Sequence, residues 1–264
     1  MENNRKSLFH YMLLFYLSLK VTGSWISLFI ADLDLNFYII SLIKEAVLVC
    51  FCVFFVFNSR QVHIFRRRGS GILKGVRIGF FPFFMGTVTL IINLFLEEAE
   101  RRLQPWYVIL AFFLCMICVG TAEELFFRGI VAEILFERLA VGRKGIWKAV
   151  ILSGAMFGLF HLINLSFGNP IGVFVQVIGA TVSGMVFTAI YYRSGNIWTV
   201  VLLHSYQDMA ALALSGIYGF ETAKDAISDY EPIKLIGMVP YIIVLLVLLR
   251  KRKLEEVERN MKTE

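Results

Sequence analysis

Eight times along its 264 residues the chain runs through roughly twenty consecutive apolar residues, the length of helix that a bilayer core demands. The stretches fall at about 8–30, 37–57, 76–96, 106–128, 149–166, 171–192, 197–217 and 235–250. They are helical in period or uniformly apolar, and no ten-residue segments alternate as the strands of a membrane barrel would. A soluble globule is excluded by the same arithmetic. Hydrophobic residues are 58% of the chain and charged ones 17%, too much apolar side chain for an interior of this size to hide. The expected fold is all-α: a polytopic membrane protein of eight transmembrane helices, multi-pass in the cell membrane.

The distribution of Lys and Arg predicts its orientation. With the N-terminus inside, cytoplasmic segments hold 19 of the 26 basic residues, among them Arg66 to Arg68, Arg138 to Lys148 and Arg250 to Lys253. The opposite side holds 4: Arg101, Arg102, Lys224 and Lys234. Both termini are therefore expected in the cytoplasm, and the net charge of +6 is topological. Anionic lipid beside the basic loops is its expected partner, not nucleic acid. Arg5-Lys6 before an apolar run resembles a signal peptide, but the run continues past Lys20 without a small-residue cleavage site, so the first helix is read as uncleaved. The four Cys lie in apolar helix, which gives neither a disulfide framework nor a structural zinc site.

Ionisable residues inside a bilayer cost about 2.5–3.5 kcal/mol each on insertion scales and so need a reason. Glu123, Glu124, Arg128, His161, His204 and Asp208 all lie within spans four, five and seven. Glu124 and Arg128 are four residues apart, so the guanidinium can neutralise that carboxylate. His204 and Asp208 have the same spacing, so Asp208 is expected to accept from the imidazole and set its tautomer. At 1.5 Å per residue from the basic helix ends, Glu124, His161, His204 and Asp208 come to roughly 21, 20, 17 and 22 Å. They agree only if the fourth helix runs past Arg128 to about Arg138. Gly154 and Gly158, with Ala180 and Gly184 on span six, are expected to let these helices pack closely.

Glu123-Glu124-Leu-Phe-Phe-Arg128, Phe157-Gly-Leu-Phe-His161 and His204-Ser-Tyr-Gln-Asp208 resemble the EExxxR, FxxxH and HxxxN/D motifs of the CAAX-protease and bacteriocin-processing (CPBP, Abi) intramembrane proteases. Order and spacing agree over about 106–212, with Asp ending the third motif. The resemblance divides the chain into three N-terminal helices (1–105), a catalytic core (106–217), and an outer loop, last helix and basic tail (218–264). A second EExxxR copy, Glu97-Glu98-Ala-Glu-Arg-Arg102, sits in an outer loop beside Pro105 and reads as a solvated charge run. The basic tail after Leu249 reads as a short solvated helix, and Lys44-Glu45 in span two as a snorkelling or helix–helix pair, with pairing to the cluster as the alternative.

The resemblance implies an intramembrane endopeptidase acting on a membrane-associated peptide or protein, with Glu123, Glu124, Arg128, His161, His204 and Asp208 as its site. CAAX-type processing and bacteriocin or leader-peptide processing, including self-immunity, are the family's activities. The compact chain points to the bacterial branch and hence to a bacterial plasma membrane. Two mechanisms stay open, and two His with two Glu at one depth, the ligand types and number that a zinc protease needs, point to the first. In one, Glu124, His161 and His204 bind a divalent metal such as zinc and Glu123 is the base. In the other, no metal takes part: a glutamate with His161 activates water, and His204 and Asp208 line the oxyanion side. Helix geometry favours Glu123 as base, since Arg128 lies on the face of Glu124. A non-catalytic scaffold or chaperone of the same fold and a proton-coupled transporter are the competing functions. The first is opposed by the complete motif set, the second by the lack of repeated halves.

Overall fold

The structure, a computed structural model, describes residues 8–26, 28, 33, 35–65, 71–96, 102–166, 168–219 and 230–262. Among these, regular structure is entirely helical. The elements are α1 (Leu8–Lys20), α2 (Phe37–Asn58), α3 (Ile72–Ile78), α4 (Phe80–Ile91), α5 (Trp106–Phe126), α6 (Glu133–Leu139), α7 (Gly142–Phe160), α8 (Pro170–Ser194), α9 (Ile197–Ala211), α10 (Met238–Leu248) and α11 (Lys251–Lys262).

Four helical segments are long and apolar enough to cross a membrane: Phe37–Asn58, Trp106–Leu139, Gly142–Ser166 and Pro170–Ser194. The number rises to six if each of two bent pairs is one span. One pair, α3 with α4, bends by 77° at Gly79, three residues before Pro82, which has no N–H to offer the helix. The other bends by 69° between α10 and α11. Trp106–Leu139 is continuous, because the π-helical turn Phe127–Ala132 joins α5 to α6. The expected extension of the fourth helix to about Arg138 is therefore present.

Local chemistry sets the boundaries. Asn169 caps α8 by accepting from the Ile171 N–H, with Pro170 in the first turn where its missing donor costs nothing. Gly195 ends α8 at φ 65°, the left-handed conformation that glycine adopts without strain. Asn196 then caps α9 through the Trp198 N–H.

Close packing follows the glycines. A Cβ at Gly158 would come within 2.6 Å of the Val177 carbonyl oxygen on α8, and one at Gly154 within 2.7 Å of the Thr181 carbonyl oxygen. Gly184 answers from α8, where a Cβ would lie 2.9 Å from the Phe157 ring. α5 packs on α2 and α9, and α8 on α7 and α10.

Polar ties hold the end of α8. Tyr191 and Tyr192 both donate to Glu133 Oε1, at 2.9 and 3.1 Å, and His63 Nε2 lies 3.2 Å from Glu133 Oε2. The basic tail, expected to be a short solvated helix, docks instead. Leu254 and Val257 are buried, and Arg193 donates to Glu256 through Nε at 3.1 Å and a terminal nitrogen at 3.0 Å. Partial burial alone would push the Glu256 carboxyl up, but hydrogen bonds from Lys253 and Arg193 hold it below its ordinary value.

Gly158→Leu should cost about 1–3 kcal/mol by overpacking the α7–α8 contact, read as a lower thermal midpoint of the detergent-purified protein. Gly179→Ala, whose Cβ meets only Met238 at 3.7 Å, is the control and should leave the midpoint unchanged.

Candidate active site

Three helices bring the polar residues together. Glu124 and Arg128 are fully buried on one face of the α5 continuation. Arg128 donates to Glu124 Oε1 at 2.8 Å and to the Gly184 carbonyl of α8 at 3.2 Å. Its guanidinium also lies 4.5 Å from the Phe157 ring centre and 5.5 Å from that of Phe187, so two aromatic faces cover the cation. The i,i+4 pairing expected from sequence is present.

His204 of α9 arrives from the other side. Its Nδ1–H donates to Glu124 Oε1 at 2.7 Å, so one carboxylate oxygen accepts from both the guanidinium and the imidazole. His204 Nε2 then faces Glu123 Oε2 at 3.7 Å and Asp208 Oδ2 at 3.6 Å. This corrects one expectation: Asp208 is near but beyond hydrogen-bond length, and Glu124 is the group that orients the ring. The Phe187 ring stacks on His204 with centroids 5.6 Å apart.

His161 ends α7 at the start of a 3₁₀ turn, His161–Ser166. Its Nδ1 is 2.9 Å from the Phe157 carbonyl, which only accepts, so Nδ1 carries a proton, and in the neutral ring the lone pair is on Nε2. The Phe157 ring meets both imidazoles edge-on, at 4.9 Å from His161 and 5.8 Å from His204. His161, His204 and Asp208 line a cavity of about 680 Å³ that extends past Gln176 to Tyr230 and Lys234 ahead of α10. Glu123 and Glu124 are not part of that lining; the Glu123 side chain is 22% exposed and Glu124 is sealed.

The donor set can be tested against a zinc-like ion. Zinc sits about 2.0–2.2 Å from its nitrogen and oxygen ligands, and a hydrogen-bonded Nδ1–Oε1 pair at 2.7 Å leaves no room between them. Among the described residues no three His, Cys, Asp or Glu side chains converge as metal ligands do. In this arrangement Glu124, His161 and His204 do not form a metal cradle.

Sequence reasoning did not find Phe187 or the Gly184 carbonyl. Gly184 stood out only as a small packing residue, and nothing distinguishes Phe187 among the apolar residues of its span. In the second EExxxR copy, Glu97, Glu98, Glu100 and Arg101 lie outside the described residues, and Arg102 is exposed.

A family model described as "Type II CAAX prenyl endopeptidase Rce1-like" matches residues 105–210, from the start of α5 to the end of α9. Residues 105–210 are similar to that family. The resemblance read from the three motifs is thus supported over nearly the same stretch, 105–210 against about 106–212. No curated protein and no solved structure matches the chain. The Rce1-like family is a protease family, and with several apolar helices the chain is a multi-pass membrane protein.

Arg128→Met would leave the Glu124 carboxylate buried without its cation and should cost about 3–5 kcal/mol. Adding Glu124→Gln should recover part of the loss in the same unfolding measurement. An Arg128→Met protein as stable as wild type would show that the pair does not hold the site.

Proposed function

We propose that the protein is an intramembrane endopeptidase that hydrolyses a peptide bond in a membrane-associated peptide or protein, with glutamate-activated water and without a metal. The observation that carries this reading is the setting of His204, its Nδ1–H fixed by the Glu124–Arg128 pair and its Nε2 turned to Glu123 and Asp208 beside the cavity. The Rce1-like match supports the same class of reaction.

In this mechanism Glu123 takes a proton from water, assisted by the free Nε2 lone pair of His161, and the hydroxide adds to the peptide carbonyl carbon. Protonated His204 donates from Nε2 to the developing oxyanion, with Asp208 beside it. Glu123 then returns its proton to the leaving nitrogen as the carbon–nitrogen bond breaks. Glu124 and Arg128 take no part in proton transfer; they fix the imidazole in depth and rotation. The complete set of acid, base and donor groups favours this reading over a scaffold or transporter. CAAX-type or leader-peptide processing in a bacterial plasma membrane, including bacteriocin self-immunity, is the setting we propose.

The eight-helix arrangement with both termini in the cytoplasm completes the proposal. Helix occupies part of each of the eight apolar stretches, and the basic residues alternate between loops as that topology requires.

Glu123→Gln should lower kcat by about 10²–10⁴-fold while leaving the thermal midpoint near wild type. The substrates are the membrane peptides cut by wild type and spared by this variant in a comparison of membrane peptidomes. Active preparations should carry no stoichiometric transition metal. Stoichiometric zinc that disappears with His161→Ala would replace the metal-free mechanism with the metal one.

A reporter fused after Lys253 should read cytoplasmic and one inserted at Asp225, a position outside the described residues, exoplasmic. The same reading at both positions rules out the topology.

A further inference from the structure

Outside the matched segment, one described carboxylate within an apolar span, Glu45, has no assigned use. Glu45 lies near the middle of α2, half-buried, in a helix whose other charged residue is the adjacent Lys44. It shares a face with buried residues: Tyr38 is seven positions before it, Leu48 three after and Cys52 seven after, the spacing of one helical stripe.

That stripe meets α5, and two contacts fix the register. The Tyr38 and Phe112 rings are 5.1 Å apart, edge to face. At the other end a Cβ on Gly129 would lie 3.9 Å from a Val56 methyl. From Tyr38 to Val56 is eighteen residues, and from Phe112 to Gly129 seventeen, so α2 and α5 run parallel and nearly in step. Glu45, seven residues past Tyr38, stands level with Val119. Glu123 is one turn further, about 6 Å along the axis.

A second observation agrees with this register. The Glu45 carboxylate lies within electrostatic reach of Glu123 and of Asp208 on α9, with Lys44 as the neighbouring cation. Cys52, Cys115 and Cys118 are further titratable groups in its field. A second carboxylate is costly to place beside Glu123 in a low-dielectric interior unless a proton is shared between them.

We infer that Glu45 is a third carboxylate of the site, lent by α2, which acts through Glu123 by sharing the proton that Glu123 takes from water. The inference rests on the proposed role of Glu123. Glu45 is a positioning residue: it keeps the abstracted proton beside Glu123 until the leaving nitrogen takes it. The pair hands over one proton per bond broken and needs no further reactant.

The test uses the purified full chain and a fluorogenic peptide carrying a cleavage site identified in the peptidome comparison. Glu45→Gln keeps the shape and removes the charge; Glu45→Asp keeps the carboxylate. Glu45→Gln should lower kcat roughly tenfold, less than the loss of a group that transfers the proton directly, with KM and thermal midpoint unchanged. Glu45→Asp should recover most of it. Infrared spectra supply a readout that needs no substrate: Glu45→Gln and Glu123→Gln should each alter the same protonated-carboxyl band. Wild-type kcat in Glu45→Gln, equal losses in the Gln and Asp variants, or a Glu123 band indifferent to Glu45→Gln would each overturn the inference. Cleavage that survives Glu123→Gln would instead remove the role of Glu123 as base, on which the inference rests.

Discussion

A buried guanidinium facing a buried carboxylate in lipid surroundings has no water to fall back on, and the site is arranged around that constraint. Arg128 must find its partners in the protein, and its two terminal nitrogens and its flat faces find them on three helices at once: Glu124 on its own helix, the Gly184 carbonyl on α8, and the Phe157 and Phe187 rings of α7 and α8; among the described residues its Nε has none. His204 completes the set by using the same Glu124 oxygen. The cost of separating these charges locks the helices in register, and the register places the histidines.

Small residues make that locking possible. Lipid offers apolar side chains no advantage in leaving it, so helix association depends on close backbone approach and on interhelical hydrogen bonds. Gly154, Gly158 and Gly184 draw α7 and α8 near enough for Arg128 to reach across, while Gly120 draws α5 against Ser205 one residue from His204. The cavity lies where this tight seam opens toward α10.

Much of this was legible because the bilayer makes polar residues conspicuous. Six ionisable groups within three spans, four of them at one depth, identified the site's members, and depth alone extended the fourth helix beyond Arg128. The partner of His204 was not legible. Sequence spacing reports neighbours on one helix, so it offered Asp208, whereas the imidazole turns to a carboxylate eighty positions away. The bend at Gly79 was hidden for a related reason: hydropathy measures length in residues and is blind to direction. The tail's docking was missed because its apolar residues, Leu254 and Val257, are too sparse among charges to announce a buried face. Glu45 was read as a snorkelling or packing residue, since its register against α5 appears only when both helices are seen together.

The ties on α8 have a mechanical consequence. It is fastened to the long α5–α6 helix twice, through Gly184 to Arg128 and through Tyr191 and Tyr192 to Glu133. Gly184 and Tyr191 are seven residues apart, about 10 Å along the axis. Like a plate held by two bolts, α8 can neither swivel nor slide on α5–α6 without breaking both fastenings together. A peptide entering the cavity therefore meets one wall fixed at two points, while Met238 and Tyr241 of α10, which packs on that same helix, carry no such fastening to α5–α6 among the hydrogen bonds described above.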